Sequence, residues 1–191
     1  MKYKLKTAPL FDPISIEELK RNLHIMEDDD EKDVYLDEII ASTVEYVQSD
    51  IGRQFCLATY TAYLDAYPGE EMEIDRGPVS GINSVKYFKP GELVLSTLDP
   101  SLYQLDNIDL TARLKFLESF STNSNKINAI EIEFTTGWGS ADDVPKDIKD
   151  GLILLCSDRY LNPENPMLNF GMGLRQTIAE RYFRNFRIQR Y

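Results

Sequence analysis

A single histidine bounds the chemistry open to this chain, because any Ser-His-Asp or Cys-His scheme must run through His24. His24 stands where a helical period runs out, and an imidazole beside the last carbonyls of a helix is a routine structural solution. The two cysteines, Cys56 and Cys156, share no CxxC spacing, so they read as free buried thiols rather than as zinc ligands or a disulfide framework. The acidic run from Glu27 to Glu31 invites comparison with a calcium loop. Counted from Asp28, however, the sixth position holds Asp33 where Gly is needed and the twelfth holds Ile39 where Glu is needed. The run therefore reads as a solvated helix start. Gly137-Trp138-Gly139 and Gly171-Met172-Gly173 are isolated GxG units with no strand-to-helix phosphate loop around them, and turn chemistry accounts for both. No catalytic, cofactor-binding or metal-ligating residue is assigned, and an enzyme is not expected. A hydrolase built on paired carboxylates would need two of them facing each other in a deep pocket.

Binding chemistry is better represented. From Arg175 to Tyr191 five arginines (175, 181, 184, 187 and 190) stand against one acid, Glu180. That is a local balance of +4 in a chain of net charge −11, which leaves −15 for the rest. Arg181, Arg184, Arg187 and Arg190 recur every three residues, interleaved with Tyr182, Phe183, Phe186, Ile188 and Tyr191. Arg and aromatics are the types enriched at protein interfaces, and apolar groups exposed in a cluster usually mark a contact. Arg181, Phe183, Arg184, Phe186, Arg187 and Arg190 are accordingly the candidate interaction residues for a partner protein. Two other readings stay open: the tail folded back on its own acidic body, and the arginines on nucleic acid. Trp138, the sole tryptophan, reads as a core or interface anchor. Arg53 directly follows a helix-ending glycine, where it can bond the last carbonyls, pair with an acid or serve an interface.

The elements that must position these residues are legible in hydrophobic spacing. Leu36, Ile39, Ile40, Thr43, Val44, Val47 and Ile51 recur at three and four, which predicts one long helix stopped by Gly52. Asp28, Asp29, Asp30 and Asp33 crowd its start, where carboxylates favour the positive end of the dipole. Before it, Ser15 and Glu18 have the spacing of a capping box and Ile14 and Leu19 that of a hydrophobic staple, so a shorter helix is expected to run to about Leu23. Residues 1–12 read as extended and loosely held. After Phe55 the period changes to alternation, with candidate strands at 57–64, 72–75, 82–88, 93–98, 103–105, 113–117 and 127–135 between Pro/Gly/Asn punctuators. Helical period returns at Pro145 with Ile148, Leu152, Leu155, Cys156 and Tyr160 on its stripe. Residues 174–190 fit a helix, while 186–191 fit a strand equally well.

The fold class expected from these elements is α+β: a three-helix bundle with an antiparallel β insert between the second and third helices, plus a C-terminal arm. Residues 1–161 are expected to form a single domain, with helices at about 15–23, 33–54 and 145–161 and the insert at about 57–135. Residues 162–191 are the expected linker and Arg/aromatic arm. A chain of 191 residues can bury about 70% of its unfolded surface, so neither metal nor disulfide is needed for stability. The excess of acid repels phosphate, so a body built to grip DNA is not expected. The N-terminal lysines are followed by no apolar run of the kind a secretory signal has, and no segment approaches the roughly 18 apolar residues of a membrane span.

In succession, PISIEELKRNLHI at 13–25, YLDEIIASTVEYVQSDIGRQF at 35–55, GPVSGINSVKYF at 77–88, YQLD at 103–106, INAIEIEFTTGWG at 127–139 and VPKDIKDGLILLCSDRY at 144–160 carry a family likeness. The chain resembles the head–tail connector, or portal adaptor, proteins of tailed bacteriophages over residues 13–161. The Arg/aromatic tail falls outside the resemblance. The resemblance implies a non-enzymatic structural virion protein that takes no cofactor. Such a protein forms a homo-oligomeric, dodecameric ring that joins the portal protein to a tail-side completion protein and extends the DNA channel. Isolated subunits can remain monomeric until they meet their portal. DNA would pass without specific binding, a role that suits a wall of carboxylates. The location implied is the head–tail junction of the virion, and the host cytoplasm before assembly. The rival expectation is an acidic helical interaction module that binds a partner protein through the β insert or the C-terminal arm.

Overall fold

The computed structural model describes residues 1–26, 29–163 and 174–188, with side chains from 179 onward in the last stretch. The chain divides into two compact units, one formed by Met1–Leu10 with Leu57–Trp138 and one by Phe11–Cys56 with Gly139–Tyr191.

The first unit is made of strands: β1 (Lys2–Thr7), β2 (Ala58–Leu64), β3 (Glu71–Ile74), β4 (Val79–Phe88), β5 (Leu95–Thr97), β6 (Tyr103–Asp106), β7 (Ala112–Phe116) and β8 (Ile130–Thr136). They form two antiparallel sheets, of order β1-β2-β8-β4-β5 and β3-β7-β6. Alternation explains why both sheets bury one face. Ile130, Ile132 and Phe134 of β8, Ala112, Leu114 and Phe116 of β7, and Met72 and Ile74 of β3 point into one shared core. The residues between them stay wet. Tyr67, Phe116, Phe120 and Tyr87 extend that core as an aromatic chain with ring centroids 4.7–5.6 Å apart.

The second unit is helical: α1 (Ile16–Leu23), α2 (Asp33–Ile51), α3 (Lys146–Leu161) and α4 (Leu174–Phe183). The capping box forms as spaced, with the Glu18 N–H donating to Ser15 Oγ at 3.2 Å and the Ser15 N–H to Glu18 Oε2 at 2.8 Å. The stripe Leu36, Ile39, Ile40, Thr43, Val44, Val47 and Ile51 is the buried face of α2. Lys20 is buried on α1 because its ammonium reaches Asp33 at 2.5 Å, the first residue of α2, and Asp30 at 3.6 Å. Ser157 donates to Asn22 at 2.9 Å and so joins α3 to α1. Among the described residues no helix is long and apolar enough to cross a membrane.

Three findings correct the expected fold. The chain is not a three-helix bundle: its described part holds four helices and eight strands in two sheets, a sheet-rich α+β fold. The sheet is not confined to an insert, since β1 pairs along β2 from Lys2↔Tyr63 to Thr7↔Thr59. Residues 2–7 therefore hold a ladder position. Hydrophobic spacing did not select them because Tyr3 and Leu5 are the only apolar residues of the strand, and of the two Tyr3 alone packs on the core. The C-terminal segment, for which a helix is one of the two readings the sequence leaves open, forms a fourth helix, and it does not stand off as an arm, because its Phe183 is buried in the helical unit.

Candidate interaction surface

The C-terminal segment folds onto the helical unit because two glycines leave room for it. Ala179 and Phe183, one turn apart on α4, are both buried, and Phe183 is 4% exposed. A Cβ on Gly151 of α3 would lie 2.6 Å from the Phe183 ring, so the close approach of α4 to α3 requires glycine there. Beyond α4 the chain makes a 3-10 turn at Arg184–Phe186 and reaches the end of α2. Helix ends leave carbonyls without intrahelical donors. The Gly52 N–H, at φ 78, takes Gln48 O at 3.0 Å, and the Ile188 N–H takes Ile51 O at 3.1 Å. Arg53, 6% exposed, donates from Nε to Phe186 O at 2.9 Å, and Arg187 pairs with Asp50. Arg53 thus belongs to the seat of the tail.

With its apolar side seated, the segment presents its charged side outward. Glu180, Arg181, Arg184 and Arg187 line an open cleft. Three guanidiniums there offer planar forks suited to carboxylates. The structure therefore brings Arg53, Phe183, Phe186 and Arg187 together around the ends of α2 and α4 and leaves Arg181 and Arg184 exposed. Trp138 belongs to the strand unit, half-buried directly after Gly137, whose φ of 105 ends β8. Arg190 lies outside the described residues. Asp50, Gly151 and Ile188 are the members of this arrangement that sequence reasoning did not select. Gly151 was the readable signal, since a glycine inside a helical period commonly has a packing reason.

His24 ends α1 in the left-handed region at φ 58, where its backbone N–H, rather than the imidazole, is directed at the carbonyls of Arg21 and Lys20. Both cysteines are free and buried. Burial pushes the Cys56 thiol up to about 12 and the Cys156 thiol up to about 11, so neither is a thiolate at neutral pH. Among the described residues no group of three or more His, Cys, Asp or Glu side chains is placed to hold a metal ion.

No family model and no curated protein matches this sequence. Solved structures do match. A chain in the neck of an empty gene transfer agent (GTA) particle computed with C6 symmetry superposes with a TM-score of 0.77 at 17% identity, covering 100% of this chain and 97% of that one. The chain has the fold of a GTA-particle neck structure. A chain in the virion of a native GTA particle gives 0.77 at 16% identity, and one in the neck of a native GTA particle computed with C12 symmetry gives 0.71 at 17%, each with the same coverages. At such identities the likeness is one of fold. The neck fold covers both units and the C-terminal segment, whereas the motif resemblance stopped at residue 161.

Proposed function

We propose that this chain is a structural subunit of the neck of a phage-like particle, an adaptor that joins the portal protein to a tail-side completion protein. The observation that carries the proposal is the full-length match of the neck fold. The subunit acts as a homo-oligomeric ring of twelve copies at the head–tail junction, drawn from the host cytoplasm, and performs no catalysis. It extends the DNA channel, and its net charge of −11 suits a wall past which DNA slides without the salt-dependent phosphate contacts that would hold it. In this reading the connector domain of residues 1–161 makes the ring, and the arginine cleft of α4 meets a neighbour or the portal. The test is electron microscopy of the protein mixed with its portal. A ring seated on one end of the portal is expected. Portals that stay bare, beside a chain that light scattering keeps monomeric, would overturn the adaptor.

One observation favours a second reading, the interaction module. Leu93, Val94 and Ile108 are apolar residues left strongly exposed on loops of the strand unit. Capture of a partner other than the portal through those loops would favour it.

A further inference from the structure

Two edge strands of the sheet unit carry opposite charges in the same period. β1 is the edge of the five-stranded sheet and reads Lys2-Tyr3-Lys4-Leu5-Lys6, while β3 is the edge of the three-stranded sheet, in Glu70-Glu71-Met72-Glu73-Ile74-Asp75. A strand turns successive side chains to opposite faces. Lys2 and Lys4 thus project from the wet face of one sheet, and Glu71 and Glu73, opposite Lys115 and Arg113, from the wet face of the other. Lys2, Lys4, Glu71 and Glu73 are all exposed, and no described strand lies beyond either edge. The two edges share one flank of the unit, because the Tyr3 hydroxyl donates to Asp75 Oδ1 at 2.5 Å.

Lysines on an edge strand are a common device against pairing. They reject a second β1, since like charges directly opposite are destabilising. They do not reject an acidic edge. Leu5, 46% exposed beside the Lys4 position, is an apolar side chain that such a neighbour would cover.

We infer that this flank is a self-complementary docking surface for a second copy of the chain, with the lysine edge β1 of each copy laid along the glutamate edge β3 of the other. Both edges lie on one flank, so a single two-fold axis forms the contact twice, the same patch serving both copies. Backbone N–H and C=O groups extend each sheet across the axis, and the Lys/Glu pairs set which edges meet. The inference does not depend on the neck reading and applies to the free chain.

The test uses the full chain and its charge reversals, followed by light scattering over a dilution series. The parent is expected to be a dimer that dissociates on dilution. Lys2→Glu/Lys4→Glu makes both edges acidic and Glu71→Lys/Glu73→Lys makes both basic, so each variant alone is expected to be monomeric. Their equimolar mixture is expected to recover the dimer, because acidic edges then meet basic ones. A parent that stays monomeric at its highest soluble concentration overturns the inference, as do variants that dimerise alone. If a reversal unfolds the chain, as circular dichroism would reveal, Lys4→Cys mixed with Glu73→Cys decides. A disulfide between the two variants supports the contact, and its absence under oxidising conditions overturns it.

Discussion

Phe183 rests on Gly151 while its neighbours Arg181 and Arg184 stay in water, so residues three positions apart or fewer answer to different forces. Phe183→Ala is expected to lower stability by about 3–5 kcal/mol through the cavity it leaves, read as a fall in the denaturant midpoint. Gly151→Ala sets two effects against each other. Alanine favours the helix by about 1 kcal/mol, but its Cβ would sit 2.6 Å from the Phe183 ring, and overpacking costs about 1–3 kcal/mol. The clash wins, and a net loss of stability is expected in the same assay. The thiols predict a pH dependence. In the unfolded chain a cysteine loses its proton near pH 8.5, whereas folding holds Cys156 protonated to about 11 and Cys56 to about 12. Between those limits the unfolded state binds fewer protons than the folded one, so stability is fully present below about pH 8.5 and falls as pH rises toward 11–12. Unfolding at a series of pH values is expected to show that decline, reduced in Cys56→Ala/Cys156→Ala.

At the scale of elements, the C-terminal segment has one seated face and one free face. The Arg187–Asp50 pair is solvent-exposed on both sides, and such pairs are worth about 0–1 kcal/mol. Replacing Arg181, Arg184 and Arg187 with serine is therefore expected to leave the melting temperature nearly unchanged while weakening binding to the portal or to a neighbouring subunit. A large fall in melting temperature would make the arginine face part of the subunit's own packing. The helices were legible because each announces itself locally. The Ser15–Glu18 box and the α2 stripe are short-range patterns that tertiary packing had no reason to override. β1 was not legible, since Tyr3 and Leu5 between Lys2, Lys4 and Lys6 make too short an alternation to name a strand, and only the partner strand β2 makes residues 2–7 one.

For the whole molecule, charge is the property that reaches furthest. A body that carries −15 outside its last seventeen residues is expected to give no shift of duplex DNA in a gel at low salt, where any cationic grip would be strongest. Retention of DNA by the isolated subunit would count against a channel wall built to let it slide. The positive tail does not alter that expectation. Its cleft carries Glu180 beside three arginines, and Arg187 is already engaged by Asp50.

The sequence by itself determined the α+β composition, the presence of three helices, seven of the eight strands and the acidic body with its basic end. All of these are set by neighbours within a few positions or by simple sums over residues. The tertiary structure alone decided that the strands divide into two sheets and that residues 2–7 complete one of them. It also decided that Phe183 and Arg53 are used inside the helical unit while Arg181 and Arg184 are not. Those outcomes depend on which distant segments meet, as Gly151 meets Phe183 and Ile51 meets Ile188. Local periodicity carries no record of such meetings.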